Sequence, residues 1–141
     1  MKKFLIINGP NLNMLGQREP EVYGTNTLED IERFTNEKLA GSASTEWFQS
    51  NVEGEIVGRI QKAHSENYDA LVINPGGYAH TSVAIHDALK ILKIPVIEVH
   101  LSQVYKREEF RHTLLTAKAA SAIMSGLGKH SYYLAIYSQL H

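Results

Sequence analysis

The sequence contains no cysteine, which excludes disulfide bonds, thiolate nucleophiles and zinc sites built on cysteine. It also lacks the common phosphate-binding signatures: no Gly-x-Gly-x-x-Gly follows the first apolar run, and no Gly-Lys pair precedes Ser or Thr. No apolar stretch is long enough to span a membrane, and the run 4–7 is too short for the core of a secretory signal. We therefore expect a cytoplasmic protein with no membrane partner.

An excess of charge of one sign is missing as well. The 141 residues carry a formal net charge of −1, with acids and bases interleaved along the chain. A nucleic-acid or anionic-membrane partner requires a basic face, so neither kind of partner is predicted. The length suits one domain, which we expect to cover residues 1–141.

Histidine is abundant, but its spacing does not predict a metal site. None of the seven histidines forms a His-x-His or His-Glu-x-x-His pattern. His64, His130 and His141 lie in polar helical or terminal segments, where we expect solvent exposure. We therefore expect no bound metal.

Short apolar runs alternate with amphipathic segments along the whole chain. The predicted strands are 4–7, 45–49, 70–74, 94–100 and 119–125. The predicted helices are 28–39 with Thr27 as N-cap, 54–66 with Asn51 as N-cap, a helix from Thr81 or Ser82 to Leu92, 107–116 and 128–137. This alternation predicts an α/β fold: a flavodoxin-like, doubly wound, five-stranded parallel sheet in the order 2-1-3-4-5, with helices on both faces. Segment 8–24 is predicted to be a long loop over a ligand site.

Unusual polar sequence occurs at the carboxyl ends of three of the predicted strands. The segments are 8–13, which continues to Arg18 and Tyr23, then 74–80, and finally 98–102. Because the carboxyl ends of parallel strands meet at one edge of the sheet, these segments predict one shared pocket. The turn Pro75-Gly76-Gly77 could also hold an anion with its backbone N–H groups, or serve packing alone.

Two pairs of residues in these segments suggest acid–base chemistry. Glu98 and His100 project to the same side of a strand, and a carboxylate beside an imidazole fixes its tautomer and favours its protonated form, which suits a general acid. A guanidinium such as Arg18 close to Tyr23 would favour the phenolate and make the tyrosine a base. The alternatives are a strand-end histidine bonded to backbone, and an exposed arginine with a surface tyrosine. Arg111 and His112 are either solvated helix residues or pocket donors.

Several separated motifs, in order, resemble the type II 3-dehydroquinate dehydratases over essentially the whole chain. The motifs are Asn8-Gly-Pro-Asn-Leu-Asn13, Gly16 with Arg18-Glu-Pro20 and Tyr23-Gly24, Phe48-Gln-Ser-Asn51 with Glu53-Gly54, Ile73-Asn-Pro-Gly76, His80-Thr-Ser82, Asp87-Ala88, Ile97-Glu-Val-His-Leu-Ser102 and Phe110-Arg-His112. The resemblance implies a hydro-lyase that converts 3-dehydroquinate to 3-dehydroshikimate through an enolate in the shikimate pathway.

The resemblance also implies roles for individual residues. Tyr23 would remove the proton alpha to the ketone, with Arg18 holding it as phenolate. His100 would protonate the departing hydroxyl, oriented by Glu98. Asn11 would position a water or donor near the enolate oxygen.

The same resemblance implies a substrate site and an assembly. Leu101 and Ser102 would hold the substrate carboxylate, and three further residues would hold the ring hydroxyls: Asn74, His80 and Arg111. Asp87 would reach a neighbouring subunit's pocket in a homo-oligomer, typically a homododecamer built from trimers. No metal or organic cofactor is implied.

Two hypotheses that assign the chain to other classes of protein compete with this one. A non-catalytic flavodoxin-like anion-binding or signalling module would explain the fold and the glycine-rich turn. A receiver-type module, however, would carry acids at the end of the first strand, where this chain has Asn8-Gly9-Pro10. The third hypothesis is a metal hydrolase, which would lose its activity when a chelator is added.

Overall fold

The five strands form a single parallel sheet. The computed structural model describes residues 1–141. The strands are β1 (Lys2–Asn8), β2 (Ala43–Gln49), β3 (Ala70–Asn74), β4 (Val96–His100) and β5 (Ala122–Ser125). Their order in the sheet is β2-β1-β3-β4-β5, with every neighbouring pair parallel. The predicted fold class and strand order are confirmed.

The helices cover both faces of this sheet because the central strands bury alternate residues on opposite sides. The helices are α1 (Pro20–Tyr23), α2 (Leu28–Leu39), α3 (Glu53–His64), α4 (Val83–Leu89) and α5 (His130–Tyr137). Phe4 and Ile6 of β1 pack with α2 and α5, whereas Leu5 and Ile7 pack with α3 and α4. The chain thus has one apolar core on each face of the sheet.

Two of the predicted helix caps are confirmed and one is wrong. Thr27 Oγ1 accepts from the Asp30 backbone N–H at 3.1 Å, and Asp30 Oδ2 accepts from the Thr27 N–H at 3.0 Å, which is a capping box. Of the two candidates for α4, Ser82 is the cap. Asn51 does not cap α3, because its side-chain oxygen is bonded to the backbone N–H of Asn11 at 2.9 Å.

The segment predicted as a helix at 107–116 is not an α-helix. It contains a short 3₁₀ turn, Glu109–Arg111, between two others at Val104–Lys106 and Thr116–Ala119. Between Val104 and Thr116 only Leu114 is buried, so no apolar stripe fixes a regular helix against the sheet. The last of these 3₁₀ turns includes residue 119, where the fifth strand was predicted to begin. That strand begins at Ala122 instead.

Other predicted boundaries change as well; α4, for example, ends at Leu89 rather than at Leu92. β4 begins at Val96 rather than at 94, since Pro95 has no N–H to donate to a neighbouring strand. The predicted loop 8–24 is partly helical, with a 3₁₀ turn at Leu12–Met14 followed by α1.

The carboxyl ends of β1 and β3 lie side by side and their turns touch. Asn8 is in register with Asn74, and the Gly9 N–H donates to the Asn74 carbonyl at 2.8 Å. A Cβ at Gly9 would lie 2.4 Å from the carbonyl oxygen of Pro75, so only glycine fits at this crossing. No helix in the structure is long and apolar enough to cross a membrane.

Candidate active site

A polar pocket opens at the carboxyl edge of the sheet, above β1, β3 and β4. It encloses about 570 Å³ of empty space, part of it open to solvent. Nine of the predicted site residues line it: Asn11, Arg18, Tyr23, Asn74, His80, His100, Leu101, Ser102 and Arg111. The predicted convergence of three strand ends on one pocket is therefore observed.

The hydroxyl of Tyr23 lies between two guanidinium groups. Arg18 Nη2 donates to Tyr23 Oη at 3.1 Å, and the Arg18 guanidinium carbon lies 4.3 Å from the centroid of the tyrosine ring. Arg107 Nη1 donates to the same oxygen at 2.8 Å. The phenol oxygen thus accepts two charge-assisted hydrogen bonds, one from each guanidinium.

Arg107 is the site residue that the sequence analysis missed. Its guanidinium also donates to Ser102 Oγ at 3.1 Å and lies 3.6 Å from the Glu19 carboxylate of α1's N-cap. It thereby links β4's end to the segment carrying Tyr23. Arg107 was predicted to lie in a helix, so a role in the pocket was not expected. Its closeness in sequence to the strand end at His100 is the feature that could have indicated this role.

His100 is held by a buried carboxylate. Its Nε2 lies 2.7 Å from Glu98 Oε2, and Glu98 is fully buried. Since a carboxylate only accepts, Nε2 carries a proton and Nδ1 is the ring nitrogen left for a ligand. The buried hydroxyl of Thr116 donates to the other carboxylate oxygen, Glu98 Oε1, at 2.5 Å. Glu98 does not line the pocket, so it acts on the site only through His100.

His80 presents a neutral ring to the same pocket. Its Nδ1 lies 2.9 Å from the Thr113 carbonyl oxygen, which can only accept a hydrogen bond, so Nδ1 carries the hydrogen. Burial lowers the pKa of His80 below 6.5, aided by the positive charge of Arg111 and by His100, and this outweighs the bond to Thr113. Near pH 7 the ring is therefore neutral, and its free Nε2 is an acceptor suited to a ligand hydroxyl.

Asn11 has an unusual backbone conformation at the pocket rim. It is left-handed, with φ of 69°, which asparagine tolerates better than most residues. Its backbone N–H is bonded to Asn51, and its side chain has no hydrogen-bond partner within the chain. The amide of Asn11 is thus available to a ligand.

Arg111 and His112 differ in their surroundings. Arg111 lines the pocket and donates from Nε to Glu108 Oε2 at 2.6 Å, which lowers the pKa of Glu108. This leaves the Nη groups of Arg111 free for a ligand. His112 lies outside the pocket and donates to the Arg107 carbonyl at 3.2 Å, which helps to fix the backbone at Arg107.

Asp87 lies away from the pocket of its own chain. Its side chain is 70% exposed on α4, and its one hydrogen-bond partner in the chain is the neighbouring His86, at 3.0 Å. The predicted exposure of His64, His130 and His141 is confirmed. No group of three or more His, Asp or Glu side chains is arranged to hold a metal ion.

Known proteins share both the sequence and the fold of this chain. The family described as Dehydroquinase class II matches residues 2–140. A 3-dehydroquinate dehydratase of Caldicellulosiruptor bescii is 50% identical over 139 residues, covering 98% of this chain and 96% of the relative. The crystal structure of a type II dehydroquinase from Butyrivibrio crossotus superposes with a TM-score of 0.96 at 43% identity, covering 99% of this chain and 98% of the other. One from Propionibacterium acnes gives 0.94 at 38% identity, covering 99% and 97%.

Proposed function

The chain belongs to the class II dehydroquinase family, and we propose that it acts through an enolate formed in the pocket of Tyr23 and His100. The enzyme is a 3-dehydroquinate dehydratase, a hydro-lyase that converts 3-dehydroquinate to 3-dehydroshikimate in the shikimate pathway. A non-catalytic anion-binding module is not favoured, because it explains neither the sequence relationship nor the paired acid–base groups.

In the first step, Tyr23 takes the proton alpha to the substrate ketone. The C–H electron pair moves into the enolate, and the proton ends on the phenol oxygen. Two guanidinium groups, Arg18 and Arg107, support this role because they stabilise the phenolate before the proton is transferred. Asn11, with its unpaired amide, would hold a water or donate directly to the developing enolate oxygen.

In the second step, the enolate expels the hydroxyl group. His100 gives its Nδ1 proton to the departing oxygen, so that water leaves as the C–O bond breaks. Glu98 supports this role because its carboxylate, 2.7 Å from Nε2, fixes the orientation of the ring. Thr116 in turn fixes the orientation of Glu98.

The remaining polar groups would bind the substrate. The strand-end residues Leu101 and Ser102 would hold the carboxylate. The ring hydroxyls would be held by Asn74, the neutral Nε2 of His80 and the free Nη groups of Arg111. All five residues line the same pocket, which supports one binding mode.

The enzyme would work as a homo-oligomer, a homododecamer built from trimers. The exposed carboxylate of Asp87 supports this idea, since its one polar partner is the adjacent His86 and it does not line the pocket of its own chain. In this assembly, Asp87 completes the pocket of a neighbouring subunit. We further propose that residues 1–141 form one catalytic domain and that it acts in the cytoplasm, which cell fractionation would test.

Subunit mixing tests the shared pocket. Asp87→Ala and Tyr23→Phe subunits should each have low activity alone. Mixed oligomers should regain activity, because some pockets would combine an intact Tyr23 with a neighbour's intact Asp87. A fully active monomer in light scattering would contradict the shared pocket.

The observation that carries the proposed mechanism is the phenol of Tyr23 bonded to two guanidiniums in the pocket that also holds His100. The test is the appearance of enone absorbance when the purified enzyme meets 3-dehydroquinate. Borohydride added with substrate should leave the mass of the protein unchanged, because no lysine lines the pocket to form a Schiff base. A reduced adduct on any lysine would contradict the enolate route.

A further inference from the structure

A buried polar network lies beneath the pocket, on the face of the sheet covered by α5. Its members are Asn8 at the end of β1, Asn74 at the end of β3 and Tyr132 on α5. Asn8 and Tyr132 are fully buried and Asn74 is 3% exposed. Only Asn74 lines the pocket, so neither of the other two can contact a ligand directly.

The direction of every hydrogen bond in this network follows from one backbone group. The N–H of Gly76 can only donate, and it lies 3.2 Å from Asn74 Oδ1. Asn74 must therefore direct Nδ2 to the hydroxyl of Tyr132, at 3.1 Å. The hydroxyl accepts this bond and gives its own proton to Asn8 Oδ1.

The hydroxyl of Tyr132 carries one proton, so while it donates to Asn8 it cannot also donate to Asn74. Burial raises its pKa far above the ordinary value, so the hydroxyl stays protonated and carries a single proton. If the amide of Asn74 were turned over, its Nδ2 would meet the Gly76 N–H and its Oδ1 would meet a hydroxyl already committed to Asn8. Both contacts oppose the turn, which fixes one amide orientation.

We propose that Tyr132 is a positioning residue for the dehydration, holding the Asn74 amide so that its second Nδ2 hydrogen is available to an oxygen of the substrate. This inference rests on the proposed role of Asn74 in binding a ring hydroxyl. The network also has a cost: Asn8 Nδ2 is buried without a partner. A buried donor left unpaired is unfavourable, which fits a network arranged for the orientation of Asn74 rather than for stability alone.

The variant Tyr132→Phe removes the hydroxyl and keeps the ring. Without it, the amide of Asn74 is held by Gly76 alone, so KM should rise about 3- to 10-fold while kcat stays within about twofold. Tyr133→Phe is the matched control: it deletes the same atom one residue along α5, where the hydroxyl has no hydrogen-bond partner in the chain, and it should leave KM unchanged. The single tryptophan, Trp47, has its ring 5.2 Å from that of Tyr132 and reports on local packing by near-UV circular dichroism.

A double-mutant cycle separates positioning from general structural support. In an Asn74→Ala background, Tyr132→Phe should add no further rise in KM, because the group through which it acts is already absent. Asn8→Ala offers a second route if Tyr132→Phe does not fold. Without Asn8, the hydroxyl of Tyr132 can donate its hydrogen bond to the Oδ1 of a rotated Asn74 amide. The amide is then no longer held in one orientation, and KM should rise in the same way.

Three results would overturn the inference. The first is an equal rise in KM for Tyr132→Phe with and without Asn74. The second is a normal KM in both Tyr132→Phe and Asn8→Ala while Asn74→Ala is impaired. The third, a normal KM in Asn74→Ala itself, would also remove the proposed binding role of Asn74, whereas enone formation by the wild-type enzyme would still support the overall function.

Discussion

The replacement of Arg107 by glutamine tests the part of the site that the sequence did not predict. Arg107 Nη1 lies 2.8 Å from Tyr23 Oη and is the shorter of the two guanidinium contacts. A hydrogen bond to a charged group contributes about 1.5–3 kcal/mol. Because Arg18 stays in place, the fall in kcat should reflect the loss of this one contact with Tyr23. We therefore expect kcat to fall roughly 10- to 150-fold, at about 1.4 kcal/mol per factor of ten.

The pH profile distinguishes this electrostatic role from a loss of packing. Tyr23 must be deprotonated to act as base, and removing a neighbouring cation makes deprotonation harder. The pH at which kcat rises should therefore move upward in the Arg107→Gln enzyme. KM should rise as well, because Arg107 also donates to Ser102 Oγ.

The assay is initial enone formation from pH 5 to 10, with Lys106→Gln as the matched control. Lys106 is adjacent, exposed and free of any ion pair or side-chain hydrogen bond, so its loss removes one positive charge without touching Tyr23. Its profile should match the wild type. An Arg107→Gln profile that matches the Lys106→Gln profile in rate and shape would refute the role of Arg107.

Four further outcomes are expected. Arg18→Gln should also slow turnover and move the rise of activity to higher pH. Arg18→Lys should restore turnover only partly, because a point charge cannot both stack on the ring and donate to the oxygen. Unchanged pH profiles in both variants would mean that Arg18 has another role. Thr116→Val should lower kcat about 3- to 10-fold by releasing Glu98, with KM nearly constant; a normal kcat would contradict this. Because burial lowers the pKa of His80, its acceptor should be fully available at pH 7 and lost as pH falls through a value below 6.5, so KM should rise on acidification in the wild type but not in His80→Asn. Thr27→Ala should lower the free energy of unfolding by about 1 kcal/mol in urea denaturation without changing kcat; an unchanged stability would contradict the role of the cap.

The sequence predicted those features that depend on local pattern. Apolar runs between polar turns give the strand order, and the rule that parallel strands share one carboxyl edge brings Asn11, Asn74 and His100 to one pocket. The N-cap at Thr27 was likewise predicted from local sequence.

The features that the sequence could not predict depend on contacts between distant segments. Arg107 meets Tyr23 across 84 residues, and it lies in a segment that the sequence pattern predicted as a helix. Asn51 has the residue type of a helix cap, but the backbone of Asn11 competes for its side-chain oxygen. The contact of Tyr132 with Asn8 and Asn74 depends on how α5 packs against the sheet, which no periodicity specifies.

The most direct test of the mechanism is turnover by Tyr23→Phe, which keeps the aromatic ring and deletes only the oxygen that accepts the proton. Enone formation from 3-dehydroquinate should fall by roughly 10²- to 10⁴-fold, while circular dichroism, melting temperature and oligomer size remain those of the wild type. A well-folded Tyr23→Phe enzyme with near-normal turnover would contradict the assignment of Tyr23 as the base.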